Sequence, residues 1–180
     1  RLCLRTSKKV YNQSLVASFI AHEGVEKATE IMHGWIANLA VAPFSNDNAA
    51  MNAIIAGQCD VSVVNTYYFG RMEADGKSAD LKLFWPNQQS TGVHVNITGA
   101  GITQHAKNPA AAKALIEWLS STEAQGLLAS LNLEYPVNPN VEPVESVKAW
   151  GNFLKDSLPM SAIAQQQAAA TRVIDQVGYQ

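Results

Sequence analysis

Two adjacent tyrosines, Tyr67 and Tyr68, follow a short apolar run, Val61 to Val64, through the pair Asn65-Thr66. A third phenol, Tyr11, lies in the stretch Thr6-Ser7-Lys8-Lys9-Val10-Tyr11-Asn12, just after the first apolar segment. Arg5, Lys8 and Lys9 bring positive charge to the same stretch. Phenols next to positive charge and helix N-termini deprotonate more readily. A hard trivalent cation prefers phenolate and carboxylate oxygens, and its charge lowers phenol pKa values by direct attraction. Helix N-termini then remain for an accompanying anion. The competing reading is that Tyr67 and Tyr68 only pack, as most aromatic side chains do.

Other chemistries lack their signatures. There is no nucleophile elbow, P-loop, zinc signature or dinucleotide fingerprint, so an enzyme using Tyr or Lys as acid–base is the weaker hypothesis. His22 and His33 fall on helices, His94 and His105 on a later crossing segment, and all four read as structural. Trp35, Trp118 and Trp150 sit at helical core spacing and read as packing. Net charge is −2, and Lys8-Lys9 is the one adjacent cationic pair. Nucleic acid or a membrane surface therefore has no electrostatic footprint here. No apolar run approaches a membrane span. With 47% hydrophobic and 16% charged residues over 180 positions, the chain can bury a sizeable core.

The elements must bring these residues together. Leu2 to Arg5 reads as a strand. Val10 to His22 and Val25 to Leu39 read as two helices broken at His22-Glu23-Gly24. Val41 to Phe44 is extended, and Asp47 and Asn48 cap a helix over Ala49 to Ala56. Val61 to Val64 is nearly all apolar, as in a strand buried on both faces; Asn65-Thr66 caps the helix that starts at the tyrosines. Leu81 to Trp85 and Val93 to Thr98 read as strands. Helices follow over Pro109 to Ser120 and Glu123 to Ser130, an extended linker over Asn132 to Pro143, then helices over Ser146 to Leu154 and Ala162 to Val177. This order indicates an α/β fold with a mainly parallel sheet. The segments at Thr6–Asn12, Ser45–Asn48 and Asn65–Tyr68 then share the sheet end where such folds bind ligands. Cys3 and Cys59 both start apolar segments; they are either buried free thiols or a disulfide between neighbouring strands. The chain opens at Arg1 inside a strand, so we expect upstream residues to be missing.

RLCLRTSKKVYNQSLVA, NDNAAMNAIIAGQCDVSVVNTYYFGRM and HVNITGAGITQHAKNPAAAKALIEWLSSTEAQ resemble the periplasmic ferric-iron-binding proteins, the solute-binding components of iron(III) ABC transporters. The resemblance covers nearly the whole chain, and Asn-Thr-Tyr-Tyr is its specific part. It implies a periplasmic-binding-protein type II-like lobe, a mainly parallel sheet flanked by helices, plus a partial second lobe. Residues 1–97 match the C-terminal-lobe core, 98–144 a segment of the N-terminal lobe, and 145–180 closing helices on the C-terminal lobe. The opening part of the N-terminal lobe is absent from the match.

The resemblance further implies Fe(III) held by Tyr67, Tyr68 and Tyr11. A synergistic anion such as carbonate, phosphate or citrate would lie near Arg5, Ser7 and Asn65. The Ser-Gly-Ala anion loop of one subgroup is not present, which leaves the anion open. A disulfide, a periplasmic or lipid-anchored extracellular location, an iron transporter permease as partner and a non-enzymatic role follow from the same family. The alternatives are a receptor for an organic anion or polyamine, or a fragment unable to hold metal.

Overall fold

The computed structural model describes all 180 residues. In chain order the elements are β1 (Leu2–Cys3), α1 (Val10–Ala37), α2 (Asp47–Ile55), β2 (Val61–Ser62), α3 (Thr66–Ala74), α4 (Pro109–Leu119), α5 (Thr122–Asn132), α6 (Glu145–Lys148), α7 (Met160–Gln165) and α8 (Gln167–Val177). They form two compact units, Arg1–Asn96 with Phe153–Gln180, and Ile97–Asn152. Residues 145–152, expected with the closing helices, fall in the second unit.

The first unit is built on a small parallel sheet. β1 pairs with β2 in the register Leu2 to Val61 and Cys3 to Ser62. On its other side β1 meets the extended 38–44 segment: the Leu2 amide donates to the Asn38 carbonyl and the Phe44 amide to the Leu4 carbonyl. Side chains alternate across β1 as the pleat requires. Leu2 and Leu4 enter a core with Val16, Ile20 and Met32 of α1 and Val173, Ile174 and Val177 of α8. Cys3 turns to the opposite face, among Ala50 and Ala53 of α2. There it is bonded to Cys59 across a Cα separation of 5.8 Å. The sheet thus lies between two helical layers, the α/β arrangement expected from element order.

Several local expectations are corrected. β2 is an edge strand, with Val61 exposed, because it has a partner on one side only. Leu81 to Trp85 forms no strand, since no neighbour pairs with it; Phe84 is 81% exposed. Of Val93 to Thr98 only Val93 pairs, with Lys155. The break expected at 22–24 between two helices is present at Gly24, whose φ of 82° and ψ of 167° are non-helical. Asn46, not Asp47 or Asn48, caps α2, its side chain accepting from the Ala49 amide. The 146–154 helix shrinks to α6, and the terminal helix is divided at Gln166 into α7 and α8.

Gly92 sits where the chain comes back alongside itself. The Val93 amide donates to the Leu154 carbonyl and the Asp156 amide to the Val93 carbonyl, both at 2.8 Å. A Cβ on Gly92 would lie 2.7 Å from the Leu154 oxygen, and its φ is +81°. Only glycine fits that approach.

In the second unit, α4 opens with Pro109 at its first turn and Asn108 as cap, accepting from the Ala111 amide. Ser121 caps α5 in the same way. Leu115, Trp118, Leu127 and Leu131 of these helices are exposed.

Candidate metal centre

Three segments of the first unit meet at one end of the sheet: the turn after β1, the start of α2 and the start of α3. The first is fixed by two side chains, Tyr179 from near the end of the chain and Asn12 from the start of α1. The Tyr179 hydroxyl donates to the Arg5 carbonyl at 2.5 Å. Asn12 Nδ2 donates to the Thr6 carbonyl at 2.9 Å and the Arg5 carbonyl at 3.2 Å. The second and third are joined by Asp47, whose Oδ1 accepts from the Asn65 backbone amide at 3.3 Å. Asn65 does not cap α3 with its side chain. Its carboxamide oxygen instead accepts from Asn96 Nδ2 at 2.8 Å.

These contacts bring the phenols together. The Tyr67 and Tyr68 ring centroids are 4.3 Å apart. The Arg5 guanidinium lies 5.1 Å from the Tyr11 ring centroid and 5.9 Å from that of Tyr68. Its Nη1 donates to the Tyr68 hydroxyl at 3.4 Å. Arg71 lies 5.1 Å from the Tyr67 ring and 5.8 Å from the Tyr68 ring. All three phenols are half-buried.

The electrostatics make the phenols unequal. The Tyr68 phenol is held below its ordinary value by the hydrogen bond from Tyr67 and then by Arg5. Burial pushes the Tyr67 phenol up, and the Tyr68 hydroxyl adds to that. Burial, then the Asp47 charge, raises the Tyr11 phenol to about 12. The Tyr68 phenol thus gives up its proton more readily than its two neighbours. Three phenolates match the charge of a trivalent cation, with two guanidiniums and one buried carboxylate behind them.

The resemblance implies an anion near Arg5. Arg5 is 7% exposed and paired with Asp47, which is 1% exposed. Ser7 lines a cleft with Gln13, Thr171 and Tyr179. Lys8, Lys9, His33 and His105 are exposed. His94 Nε2 lies 3.2 Å from Ser14 Oγ. Its Nδ1 has no partner and Asp156 bonds His22 instead, at 2.8 Å, so no Ser-His-Asp relay forms. Burial keeps the His94 imidazole below its ordinary pKa.

Residues 7–155 match the family model described as bacterial extracellular solute-binding protein. The chain belongs to that family. Among its relatives in the family, "Iron uptake protein A1" of Synechocystis is 36% identical over 99% of this chain and 51% of its own length. The "Major ferric iron-binding protein" of Neisseria meningitidis serogroup B is 25% identical over 76% of this chain and 41% of its own. A solved ferric binding protein from Campylobacter jejuni superposes with a TM-score of 0.95 at 33% identity, covering all of this chain and 59% of that one. A Trichodesmium protein solved with iron and citrate gives 0.93 at 36% identity, again covering all of this chain and 59% of that one. The chain spans about half the length of the curated relatives it matches.

Sequence reading did not assign Asp47, Arg71 or Tyr179 to the site. Arg71 carried a usable signal, since positions i+3 and i+4 from Tyr68 and Tyr67 share their helix face. Asp47 read as a helix cap and Tyr179 carried no local signal.

Proposed function

We propose that this solute-binding chain carries the phenolate wall of a ferric-iron site, with Tyr67, Tyr68 and Tyr11 as ligands. The observation behind this reading is the convergence of three phenols on Arg5 and Arg71 at the start of α3. The names of the relatives, which are iron uptake and ferric iron-binding proteins, agree with it. A small oxyanion such as carbonate, phosphate or citrate near Arg5, Ser7 and Asn65 would complete the coordination.

In the intact protein the first unit would be the core of the C-terminal lobe, and Ile97–Asn152 the part of the chain belonging to the N-terminal lobe. The protein would deliver iron to the permease of an ABC transporter and catalyse no reaction. The Cys3–Cys59 bond fits an oxidising compartment, the periplasm or the outer face of a lipid-anchored protein. No helix is long and apolar enough to cross a membrane.

Calorimetric titration with ferric citrate, and separately with iron-free citrate and a polyamine, tests the ligand class. Heat with ferric citrate alone is expected. Equal heat with iron-free citrate, or heat with the polyamine, would show a receptor for an organic ion.

A further inference from the structure

A charged pair as deeply buried as Arg5–Asp47 is a poor device for stability alone. Taking both ions out of water costs several kcal/mol each, and apolar residues of similar volume usually serve as well or better. This pair touches most of what defines the candidate site. Asp47 uses both carboxylate oxygens, Oδ2 for Arg5 Nη1 and Oδ1 for the Asn65 amide. It therefore ties together the turn after β1, the first turn of α2 and the residue preceding α3. Arg5, fixed at its other end by Tyr179 and Asn12 through its carbonyl, places its guanidinium against the Tyr11 and Tyr68 rings and bonds the Tyr68 hydroxyl. Arg5 and Asp47 together join all three segments.

We propose that Asp47 is a positioning residue of the metal site: acting through Arg5 and the Asn65 amide, it fixes where the Tyr11 and Tyr68 phenols stand relative to one another. Asp47 itself does not touch the cation. This inference rests on the tyrosines being the ligands.

The test uses the full gene product, loaded from ferric nitrilotriacetate. The readouts are the phenolate-to-iron absorption maximum, the iron affinity by chelator competition, and the melting temperature of the iron-free protein. Asp47→Asn removes the charge at constant shape and should weaken iron at least tenfold and move the absorption maximum. Because it leaves Arg5 buried without its partner, this variant could lose its fold. The second variant, Arg5→Met with Asp47→Leu, removes the pair cleanly. It should melt close to wild type and still show the weakened affinity and shifted maximum.

A double variant that folds, binds iron as wild type does and keeps the wild-type maximum would overturn the proposal and leave the pair a packing feature. A band that persists unchanged in Tyr67→Phe with Tyr68→Phe would instead defeat the ligand assignment, and the positioning role with it. That outcome is read on different variants, so the two failures are distinguishable.

Discussion

Asp47 and the three phenols set the behaviour expected of single residues. Iron binding to a phenol expels its proton, so the free protein holds more protons than the complex. Affinity should therefore rise with pH and fall on acidification. Tyr11, held at about 12, is protonated across the neutral range. Tyr11→Phe should lower the slope of log affinity against pH by about one, measured by chelator competition between pH 5.5 and 7.5. An unchanged slope would remove Tyr11 from the ligand set. Stability carries a second expectation. Asp47→Ala leaves the buried Arg5 charge uncompensated and should destabilise the iron-free protein by about 3–5 kcal/mol in urea unfolding. A loss below about 1 kcal/mol, the worth of an exposed pair, would mean that water reaches Arg5.

At the scale of elements, the Cys3–Cys59 bond ties the first strand to the segment entering β2, across a sequence separation of 56. Chain entropy predicts that reduction costs roughly 4 kcal/mol. Unfolding with and without reductant should show a loss of that order. Gly92 makes a comparable claim at the return of the chain. Gly92→Ala forces a Cβ into the Leu154 carbonyl at positive φ and should cost on the order of 1–3 kcal/mol, with faster proteolysis near 92–96 and 153–156.

These elements also show what the sequence could convey. The strand, asparagine, tyrosine order at 61–68 is local chemistry, and it placed the phenols correctly at the start of a helix. Leu2 to Arg5 likewise read as a strand, and Leu2–Cys3 forms one. Strand status at 81–85 and 93–98 depended on whether a neighbour was available, and pairing of that kind is non-local. The role of Asp47 was hidden for the same reason. It looks like any helix-start acid until folding brings Arg5, 42 positions away, against it. Asn65 carried cap chemistry, yet its carboxamide is taken by Asn96, another distant partner.

For the whole molecule, the central claim is that this family member presents tyrosine phenolates to ferric iron. The chain spans about half the length of the curated relatives it matches. The proposed ligand atoms are the phenol oxygens of Tyr67, Tyr68 and Tyr11. Titration of the iron-free protein with ferric nitrilotriacetate, followed by visible absorption, tests that assignment most directly. A phenolate-to-iron charge-transfer band is expected, saturating at one iron per chain and strongly weakened in Tyr67→Phe with Tyr68→Phe. No band in the wild-type protein, or the same band in the double variant, would contradict the claim.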